Sequence, residues 1–369
     1  MRPQTWADAR NVLCVRLDTL GDVLMTEPAM RAVKQAVPGR RVTLLTSPRG
    51  AEAGPLLDCV DEIIAYEAPW MKASEAKYNG AEDRCFARKL RHRRFDGAVI
   101  FTCFSQSALP AAMLCHLSDI PLRLAHSREN PYQLLTHWVR ECEPEQGIRH
   151  EVQRQLDLVA ELDAAPDDDS VRLSVPRRAV DFAIAQLAAV GIESTEPWIV
   201  MHVGASAASR RWPADYFAEA ADKLVAELRA NIVFTGSAGE RALINDVRRR
   251  MRVRSRSLAG RFNVTQLAGL LSIAPLLISN NTGPVHIASG LRTPVVDIYA
   301  LTNPQHTPWR TPSRVLSHDV PCRNCFRSIC PEEHHQCLRG VLPADVVQAA
   351  IELWHEAVRV PALPTGIAS

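Results

Sequence analysis

The chain has 369 residues, of which 47% are hydrophobic and 23% are charged, a composition typical of globular proteins. Because a single hydrophobic core rarely grows beyond ~250–300 residues, we expect two domains. The 43 basic and 41 acidic side chains leave a net charge of only +2, which argues against a protein dedicated to nucleic-acid binding.

The sequence lacks membrane and export signals. No stretch approaches the ~20 consecutive apolar residues of a membrane span, and no apolar segment of a signal peptide follows the N-terminal "MRPQTWADAR". A basic run at 84–94 is interpreted as a solvated helix face, with contact to an anionic membrane surface or acceptor as the alternative. We therefore predict a cytoplasmic protein that is at most peripheral to the inner face of a membrane.

Strand-like and helix-like segments alternate along the first half of the chain, which predicts a mostly parallel sheet flanked by helices. The predicted strands are residues 12–17, 41–46, 62–65, 97–101 and 121–125. Amphipathic helices are expected between the strands, and another helix is expected at 150–162. An acidic, proline-bounded segment at 163–176 is predicted to be a linker.

A second alternating series follows the linker. Its predicted strands are residues 198–203, 231–234, a short one near 257, 276–279 and 294–299. Its predicted helices are residues 214–228, 240–251, 265–272, 285–290 and 343–358. The fold prediction is therefore α/β, with two doubly wound domains that bind ligands at the carboxyl ends of their strands. The expected divisions are a first domain at 1–170, a second at 171–345, and a C-terminal helix and tail at 346–369.

Asp22 lies where the first predicted strand gives way to the first predicted helix. Aspartate is a good N-cap, and its charge suits the positive end of a helix. The same position is at the edge of an open parallel sheet, where ligands bind. This segment alone favours the capping interpretation, so a chemical role needs support from the rest of the chain.

The segment 276–309 carries the strongest signal for a ligand. After a predicted strand, Asn280 and Asn281 can cap a helix that "TGP" opens, with proline tolerated in the first turn. Exposed backbone N–H groups, a glycine that permits close approach and the helix dipole make an anion site. An ordinary capped helix is the alternative, but the segment favours phosphate binding. The candidate residues are Asn281, Thr282, Gly283, Pro284 and His286.

Two further strand-to-helix junctions are predicted at the same edge of the second sheet. In "VGASAASRRWP", small residues let a ligand approach and an arginine can neutralise a diphosphate, although solvated arginines are the simpler interpretation. "FTGSAGE" repeats the pattern, although its first glycine could serve only a tight turn. The candidate residues at these two junctions are Gly204, Ser206, Arg210, Gly236 and Ser237.

Together these segments resemble glycosyltransferase family 9, the ADP-heptose:lipopolysaccharide heptosyltransferases and their relatives. The resemblance covers nearly the whole chain and depends on four segments in a fixed order. They are "RLDTLGDVLMTEPAMRAVKQAVPG", "HVGASAASRRWPADYFAEAA", "FTGSAGE" and "NNTGPVHIASGLRTPVVDIYALTNP". The resemblance implies a GT-B architecture, in which two Rossmann-like domains face each other across a cleft. It also implies that the N-terminal domain binds the acceptor and the C-terminal domain binds the nucleotide sugar.

The resemblance implies roles for individual residues as well. Asp22 matches the aspartate of the family's "GD" pair and would be the general base. Arg210 matches a basic residue, usually lysine, that holds the diphosphate. The triplet 281–283 matches the family's "DTG" or "DSG", with Asn281 where many members have aspartate. That difference leaves open any contact that needs a carboxylate, and with it the identity of the sugar.

We therefore expect a metal-independent inverting glycosyltransferase without a catalytic cofactor. By resemblance, it would move heptose from an ADP-sugar donor to a lipopolysaccharide-type or other lipid-linked cell-envelope acceptor. Asp22 would stand within ~2.6–3.2 Å of the attacking hydroxyl, while Arg210 and the helix at Thr282 would stabilise the leaving diphosphate. One alternative is another nucleotide-sugar enzyme, such as an epimerase. The second is a catalytically silent nucleotide-sugar-binding or assembly module, which Asn281 keeps open.

A cysteine cluster follows the last of these motifs. The segment "CRNCFRSICPEEHHQC" holds Cys322, Cys325, Cys330 and Cys337. Their spacing suits a structural zinc or iron site, in which His334 or His335 could replace one thiolate, and some heptosyltransferase relatives resemble this segment. Reduced thiols under a loop, or two disulfides in an exported protein, are the alternatives. The other six cysteines are expected to be small core residues.

Overall fold

A computed structural model describes residues 5–72, 80–193 and 196–359. The chain divides into two compact units, Met1–Arg172 and Leu173–Ser369. The division falls inside the acidic segment 163–176 that the sequence predicts as a linker. Each unit contains one six-stranded sheet.

The first unit has a parallel sheet with helices between its strands. Its strands are β1 (Asn11–Arg16), β2 (Arg41–Thr46), β3 (Glu62–Ala65), β4 (Gly97–Ile100), β5 (Leu122–Ser127) and β6 (His137–Arg140). Its helices are α1 (Leu20–Gln35), α2 (Gly80–His92), α3 (Leu109–Leu117) and α4 (Glu151–Ala160). The strand order is β3-β2-β1-β4-β5-β6. The chain reverses its winding between β1 and β4, and the carboxyl ends of these strands are where doubly wound folds bind ligands.

Strand β1 forms the middle of this sheet because its sequence, NVLCVR, is almost continuously apolar. Five of its six residues are buried, as expected for a parallel strand covered on both faces. Cys14 lies opposite Leu44 of β2 and Val99 of β4, and burial raises the pKa of its thiol to about 12. This cysteine is therefore a neutral core residue, as predicted. The same prediction is wrong for Cys85, which is exposed on α2.

The second unit repeats the same topology. Its strands are β7 (Trp198–His202), β8 (Asn231–Thr235), β9 (Arg256–Ser257), β10 (Leu277–Asn280), β11 (Val295–Ile298) and β12 (Ser313–Leu316). Its helices are α5 (Arg177–Ala189), α6 (Ala214–Leu228), α7 (Arg241–Arg250), α8 (Val264–Ser272), α9 (Gly283–Gly290), α10 (Gln336–Arg339) and α11 (Pro343–Arg359). The order β12-β11-β10-β7-β8-β9 places the reversal between β7 and β10.

Two strands and one long helix were not predicted from the sequence. β6 and β12 each lie at an outer edge of their sheet, and neither contains a fully buried residue. Their sequences, HWVR and SRVL, lack the apolar run that identifies other strands, including the edge strand β3, EIIA. Helix α5 follows the predicted linker directly and buries only three alanine and leucine side chains.

In the described part of the chain, no helix combines the length and the hydrophobicity that crossing a bilayer requires.

Candidate active site

At the carboxyl end of β1, a buried arginine holds three carboxylates. The side chain of Arg16 is fully buried, and its Nη1 lies 2.7 Å from Oε1 of Glu151. Its Nε lies 2.9 Å from Oδ2 of Asp18, and its Nη2 lies 3.4 Å from Oδ1 of Asp22. Burial lowers the pKa of Arg16, but Asp18, Glu151 and Asp22 outweigh burial and raise it above its ordinary value. Arg16 is thus a fixed cation that orients the acidic groups of this edge.

Asp22 lies in the first turn of α1 and is not its N-cap. The N-cap is Thr19, and Oδ2 of Asp22 accepts hydrogen bonds from the Thr19 backbone N–H at 3.1 Å and from its hydroxyl at 2.8 Å. The capping interpretation therefore needs correction, because Asp22 caps α1 as the acidic partner of a capping box. With 18% of its side chain exposed, Asp22 combines a structural bond on one oxygen with an ion pair on the other.

Asp18 is a second carboxylate at this edge, and the sequence analysis did not single it out. Its Oδ1 accepts a hydrogen bond of 2.6 Å from Nε2 of Gln106, in the loop after β4. Burial raises the pKa of Asp18 to about 6, although the neighbouring Arg16 acts in the opposite direction. A carboxyl group with such a pKa can exchange protons near neutral pH, which makes Asp18 a candidate for acid–base chemistry.

A cavity of about 300 Å³ opens at the same switch point. Asp18 and Gln106 are part of its wall, and Asp22 is not. The lining combines apolar side chains with hydroxyl and charged groups: Leu17, Trp70, Lys72, Thr102, Ser105, Ser107 and Pro110. A cavity of this size with a few convergent polar groups fits a small polar ligand or part of a larger one.

In the second unit, Asn280 ties together two of the predicted ligand loops. Its fully buried side chain lies at the end of β10, where Nδ2 donates to the backbone oxygen of Val203 at 2.9 Å. Its Oδ1 accepts from the backbone N–H of Trp212 at 3.0 Å. The loop after β7 and the turn that contains Arg210 are thereby fixed against the start of α9. The suggested capping role of Asn280 is wrong, because its side chain is used in this link.

Arg210 lies in a short helical turn, Ala208–Arg210, directly before Trp212. Its Nε is buried and has no hydrogen-bond partner among the described residues. Burial raises the pKa of Tyr299, which directly follows β11, and the charge of Arg210 acts in the opposite direction. The adjacent Arg211 donates from Nε to the backbone oxygen of Ala205 at 2.9 Å. Arg210 is therefore the more available of the two cations at this edge.

The loops that contain Gly204 and Gly236 enclose a carboxylate that the sequence analysis missed. A Cβ atom at Gly204 would collide with the carboxylate of Glu240, so a larger residue there would require the Glu240 side chain to move. Oε2 of Glu240 accepts a 2.6 Å hydrogen bond from the backbone N–H of Ser237. That N–H is consequently occupied, and the negative charge beside Gly204 and Gly236 suits sugar hydroxyls better than phosphate. Ser206 is exposed in the same loop.

Helix α9 begins at Gly283 with Pro284 in its first turn and Thr282 as its N-cap. The Thr282 backbone is extended, with φ −152° and ψ −176°, as expected for a cap. His286 is buried one turn into the helix, and its ring packs edge-on against His306 with 6.5 Å between the ring centroids. The predicted helix opening is therefore present, and its N-terminus points toward the carboxyl edge of β10.

The side chain of Asn281 does not cap α9 but is directed toward β11. Its Nδ2 donates to Oδ2 of Asp297 at 2.9 Å and to the backbone oxygen of His306 at 2.9 Å. Asp297 is fully buried, and burial raises its pKa to about 8 against the effect of the Asn281 hydrogen bond. A buried carboxylate at this position is a feature that the sequence analysis missed.

The four clustered cysteines line one small space of about 20 Å³, together with His334 and His335. None forms a disulfide, and Sγ of Cys322 lies 3.8 Å from Nε2 of His334. Within the described ranges, no group of three or more cysteine, histidine or acidic side chains is arranged to hold a metal ion. The cysteines are thus gathered around one space, and the metal site that the sequence suggests stays a prediction.

Backbone hydrogen bonds join this cysteine segment to the ligand loops. Asn324 and Phe326 donate from their backbone N–H groups to the carbonyls of Leu301 and Thr302, at 2.7 and 2.8 Å. The hydroxyl of Ser209, next to Arg210, donates to the backbone oxygen of Arg327 at 2.9 Å. The cysteine segment therefore supports the loop after β11 and the turn that contains Arg210.

Two doubly wound α/β units in succession, each with polar side chains at its switch point, are the architecture of GT-B glycosyltransferases. The sequence profile of glycosyltransferase family 9 (heptosyltransferase) matches residues 84–336. The chain belongs to glycosyltransferase family 9, as its sequence motifs predict.

Individual relatives are distant. The chain is 27% identical over 159 residues to lipooligosaccharide heptosyltransferase 2 of Campylobacter jejuni, covering 42% of this chain and 50% of that protein. It therefore spans about half the length of that relative. With lipopolysaccharide heptosyltransferase 2 of Escherichia coli, the identity is 24% over 350 residues, covering 91% of this chain and 96% of that protein.

Solved structures confirm the predicted fold class. A glycosyl transferase family 9 structure from Veillonella parvula superimposes with a TM-score of 0.81 at 20% identity, covering 96% of this chain and 99% of the other. The E. coli heptosyltransferase WaaC with ADP-2-deoxy-2-fluoro heptose gives a TM-score of 0.66 at 19% identity, covering 93% and 99%. At these identities the likeness concerns the fold.

Proposed function

We propose that the protein is an inverting glycosyltransferase that moves heptose from ADP-heptose to a lipopolysaccharide-type acceptor. The observation that carries the proposal is the difference between the two switch points. At the switch point of the first sheet, three carboxylates lie around Arg16. At the switch point of the second sheet, the N-terminus of α9 is combined with the cation of Arg210. Inverting transfer needs both kinds of chemistry, a base for the acceptor hydroxyl and positive groups for the leaving diphosphate. Membership in family 9 and the similarity to heptosyltransferases, one of them solved with an ADP-heptose analogue, support the choice of heptose and ADP.

In this proposal the second unit binds the donor. The N–H groups at the start of α9, around Thr282 and Gly283, and the guanidinium of Arg210 hold the diphosphate, because both favour negative charge. The carboxylate of Glu240 accepts hydrogen bonds from hydroxyl groups of the nucleoside. The departing ADP carries more negative charge than the bound donor, so the same groups stabilise the transition state more strongly than the ground state.

The first unit binds the acceptor, and Asp22 removes the proton from its hydroxyl. The ion pair with Arg16, at 3.4 Å, holds the carboxylate of Asp22 in place, where it accepts a proton as the hydroxyl attacks the anomeric carbon. The cavity beside Asp18 binds the acceptor saccharide through its polar lining. Asp18 is the second candidate base, since it has a raised pKa and lies in the cavity wall.

Product analysis tests this proposal against its alternatives. Purified protein is incubated with ADP-heptose and heptose-free lipopolysaccharide core acceptors, and the products are examined by mass spectrometry and by NMR of the new linkage. Transfer with inverted anomeric configuration is expected. An isomerised nucleotide sugar would instead identify an epimerase, and tight donor binding without turnover on any acceptor would identify a binding module.

We also propose that the cysteine segment binds a structural zinc or iron ion through Cys322, Cys325, Cys330 and Cys337. The proposal is supported by the gathering of the four thiols around one space, which would contract around an ion. A site with four thiolates would be closed to substrate and would have no part in the chemical step. Its contribution would be to the two loops that the segment contacts.

A further inference from the structure

We infer that Asp297 is a positioning residue, which fixes Asn281 so that its side-chain oxygen accepts a hydrogen bond from a hydroxyl of the donor sugar. The inference rests on the proposed function, because it assumes that a nucleotide sugar binds at the start of α9. It adds a specificity contact made by a neutral amide oxygen, and a buried group that orients this contact.

Two hydrogen bonds fix the orientation of the Asn281 amide. Its NH₂ group has two N–H donors, and both are used, one toward Oδ2 of Asp297 and one toward the carbonyl oxygen of His306, each at 2.9 Å. A backbone carbonyl can only accept, so the amide nitrogen must face His306 whatever the protonation state of Asp297. The remaining capacity of the side chain is therefore that of an acceptor, at Oδ1.

Asn281 lies between the end of β10 and the start of α9. Its backbone N–H donates to the carbonyl oxygen of Ile298 at 3.2 Å, which fixes it at the end of β11. It directly precedes Thr282, the N-cap of the helix proposed to hold the diphosphate. In a nucleotide sugar, the sugar is attached to the terminal phosphate. An acceptor next to the phosphate site is therefore well placed for a sugar hydroxyl, which can donate a hydrogen bond.

Burial of the Asp297 carboxyl group is unfavourable for folding. Its side chain is fully buried, and its Oδ1 has no hydrogen-bond partner among the described residues. An apolar side chain in this strand would avoid the penalty of burying a carboxyl group. Asp297 accepts a hydrogen bond from Asn281, so the effect of this buried carboxyl group is concentrated on the orientation of one amide.

Binding measurements separate the sugar contact of Asn281 from the positioning effect of Asp297. Isothermal titration with ADP and with ADP-heptose, without acceptor, gives the ratio of the two affinities for wild type, N281A, D297A, D297N and the double variant N281A/D297A. We expect N281A to lower ADP-heptose affinity about tenfold, equivalent to about 1.4 kcal/mol, with little change for ADP. D297A should lower the ADP-heptose affinity about threefold. D297N keeps an oxygen acceptor for the amide and should retain the wild-type ratio.

The double variant tests whether Asp297 acts through Asn281. If it does, D297A has no further effect on the ratio once Asn281 is replaced. An additional loss in the double variant, or an unchanged ratio in N281A, would overturn the inference. Should D297A fail to fold, as judged by its melting curve, N281A and D297N still decide the matter, because a wild-type ratio in N281A or a lowered one in D297N contradicts the inference. If wild type binds neither ADP nor ADP-heptose, the proposed function itself fails, which is a distinguishable result.

Discussion

At the scale of single residues, the charge balance around Arg16 determines which carboxylate can act as a base. Asp18 and Asp22 share this one cation, at 2.9 and 3.4 Å. Only Asp18 also has a short hydrogen bond from Gln106 and a place in the cavity wall. Asp22 in turn has its second oxygen bound to Thr19. Because both aspartates contact Arg16, either could act as the base, and their variants have to be compared directly.

Asp22→Asn should lower turnover by ~10²-fold or more, because the amide retains a capping oxygen but cannot accept the proton. Donor affinity and melting temperature should remain close to those of wild type. Steady-state kinetics and a melting curve measure these quantities. Asp18→Asn is measured beside it and should lower turnover less, through weaker binding of the acceptor in the cavity that Asp18 lines. If Asp18→Asn lowers turnover more than Asp22→Asn does, the base is Asp18.

Arg210→Ala should weaken ADP binding by about 1.5–3 kcal/mol, the range for a hydrogen bond to a charged group. AMP should lose less, because it lacks the terminal phosphate that Arg210 is proposed to contact. Arg211→Ala is the control, since the Arg211 side chain is bound to the backbone oxygen of Ala205. Equal losses for AMP and ADP would place Arg210 away from the terminal phosphate.

Asp297 should make stability depend on pH. Burial raises its pKa from 3.8 to about 8 in the folded protein. Between these values the folded protein keeps a proton that the unfolded chain has released, so the stability contributed by this group is complete below the lower value and is lost as pH rises through about 8. Asp297→Asn lacks this titration. Its free energy of unfolding relative to wild type, from urea denaturation, should rise between pH ~5 and ~8 and then level off. A difference that is constant with pH would show that Asp297 does not titrate in this way.

At the scale of elements, hydrogen bonds from neighbouring segments hold the loops at the carboxyl edge of the second sheet. Asn280 joins the loop after β7 to Trp212, and the cysteine segment bonds to Leu301, Thr302 and Ser209. The ligand loops are thus held by neighbouring elements. Loosening the cysteine segment should consequently weaken donor binding at the proposed site, through these hydrogen bonds.

Protein purified without added metal or chelator should contain about one zinc or iron ion per chain. Cys322→Ser combined with Cys325→Ser should remove the ion, lower the melting temperature and weaken ADP binding through the loops at Leu301 and Ser209. Elemental analysis, a melting curve and titration with ADP measure these effects. Replacement of Cys59, a buried cysteine of the first unit, is the control and should leave the metal content unchanged. A metal-free, fully active wild type with four titratable thiols in this segment would contradict the proposal.

At the scale of the whole molecule, the two units have the same topology but different chemistry. Both reverse their strand order after the first strand, at β1–β4 and at β7–β10, so both have a binding edge of the same kind. The first edge has three carboxylates around an arginine, and the second has the helix start that we propose to bind the diphosphate. In the proposed reaction, sugar transfer requires a base and a diphosphate site together, which would account for a chain of two similar units.

The sequence by itself determined the repeated α/β pattern, the inner strands and the position of Asp22 and of the "NNTGP" turn. Those features depend on local properties, namely continuous apolar runs and residues that start helices. Only the tertiary structure revealed the edge strands β6 and β12, because their sequences, HWVR and SRVL, have no apolar run and they form by pairing with a neighbouring strand. The tertiary structure also decided how the polar groups are paired. Asp18 meets Gln106, Glu240 lies against Gly204, and Asp297 orients Asn281 across 16 residues of sequence. Such contacts depend on where separate strands end beside one another, a property that no single segment of the sequence contains.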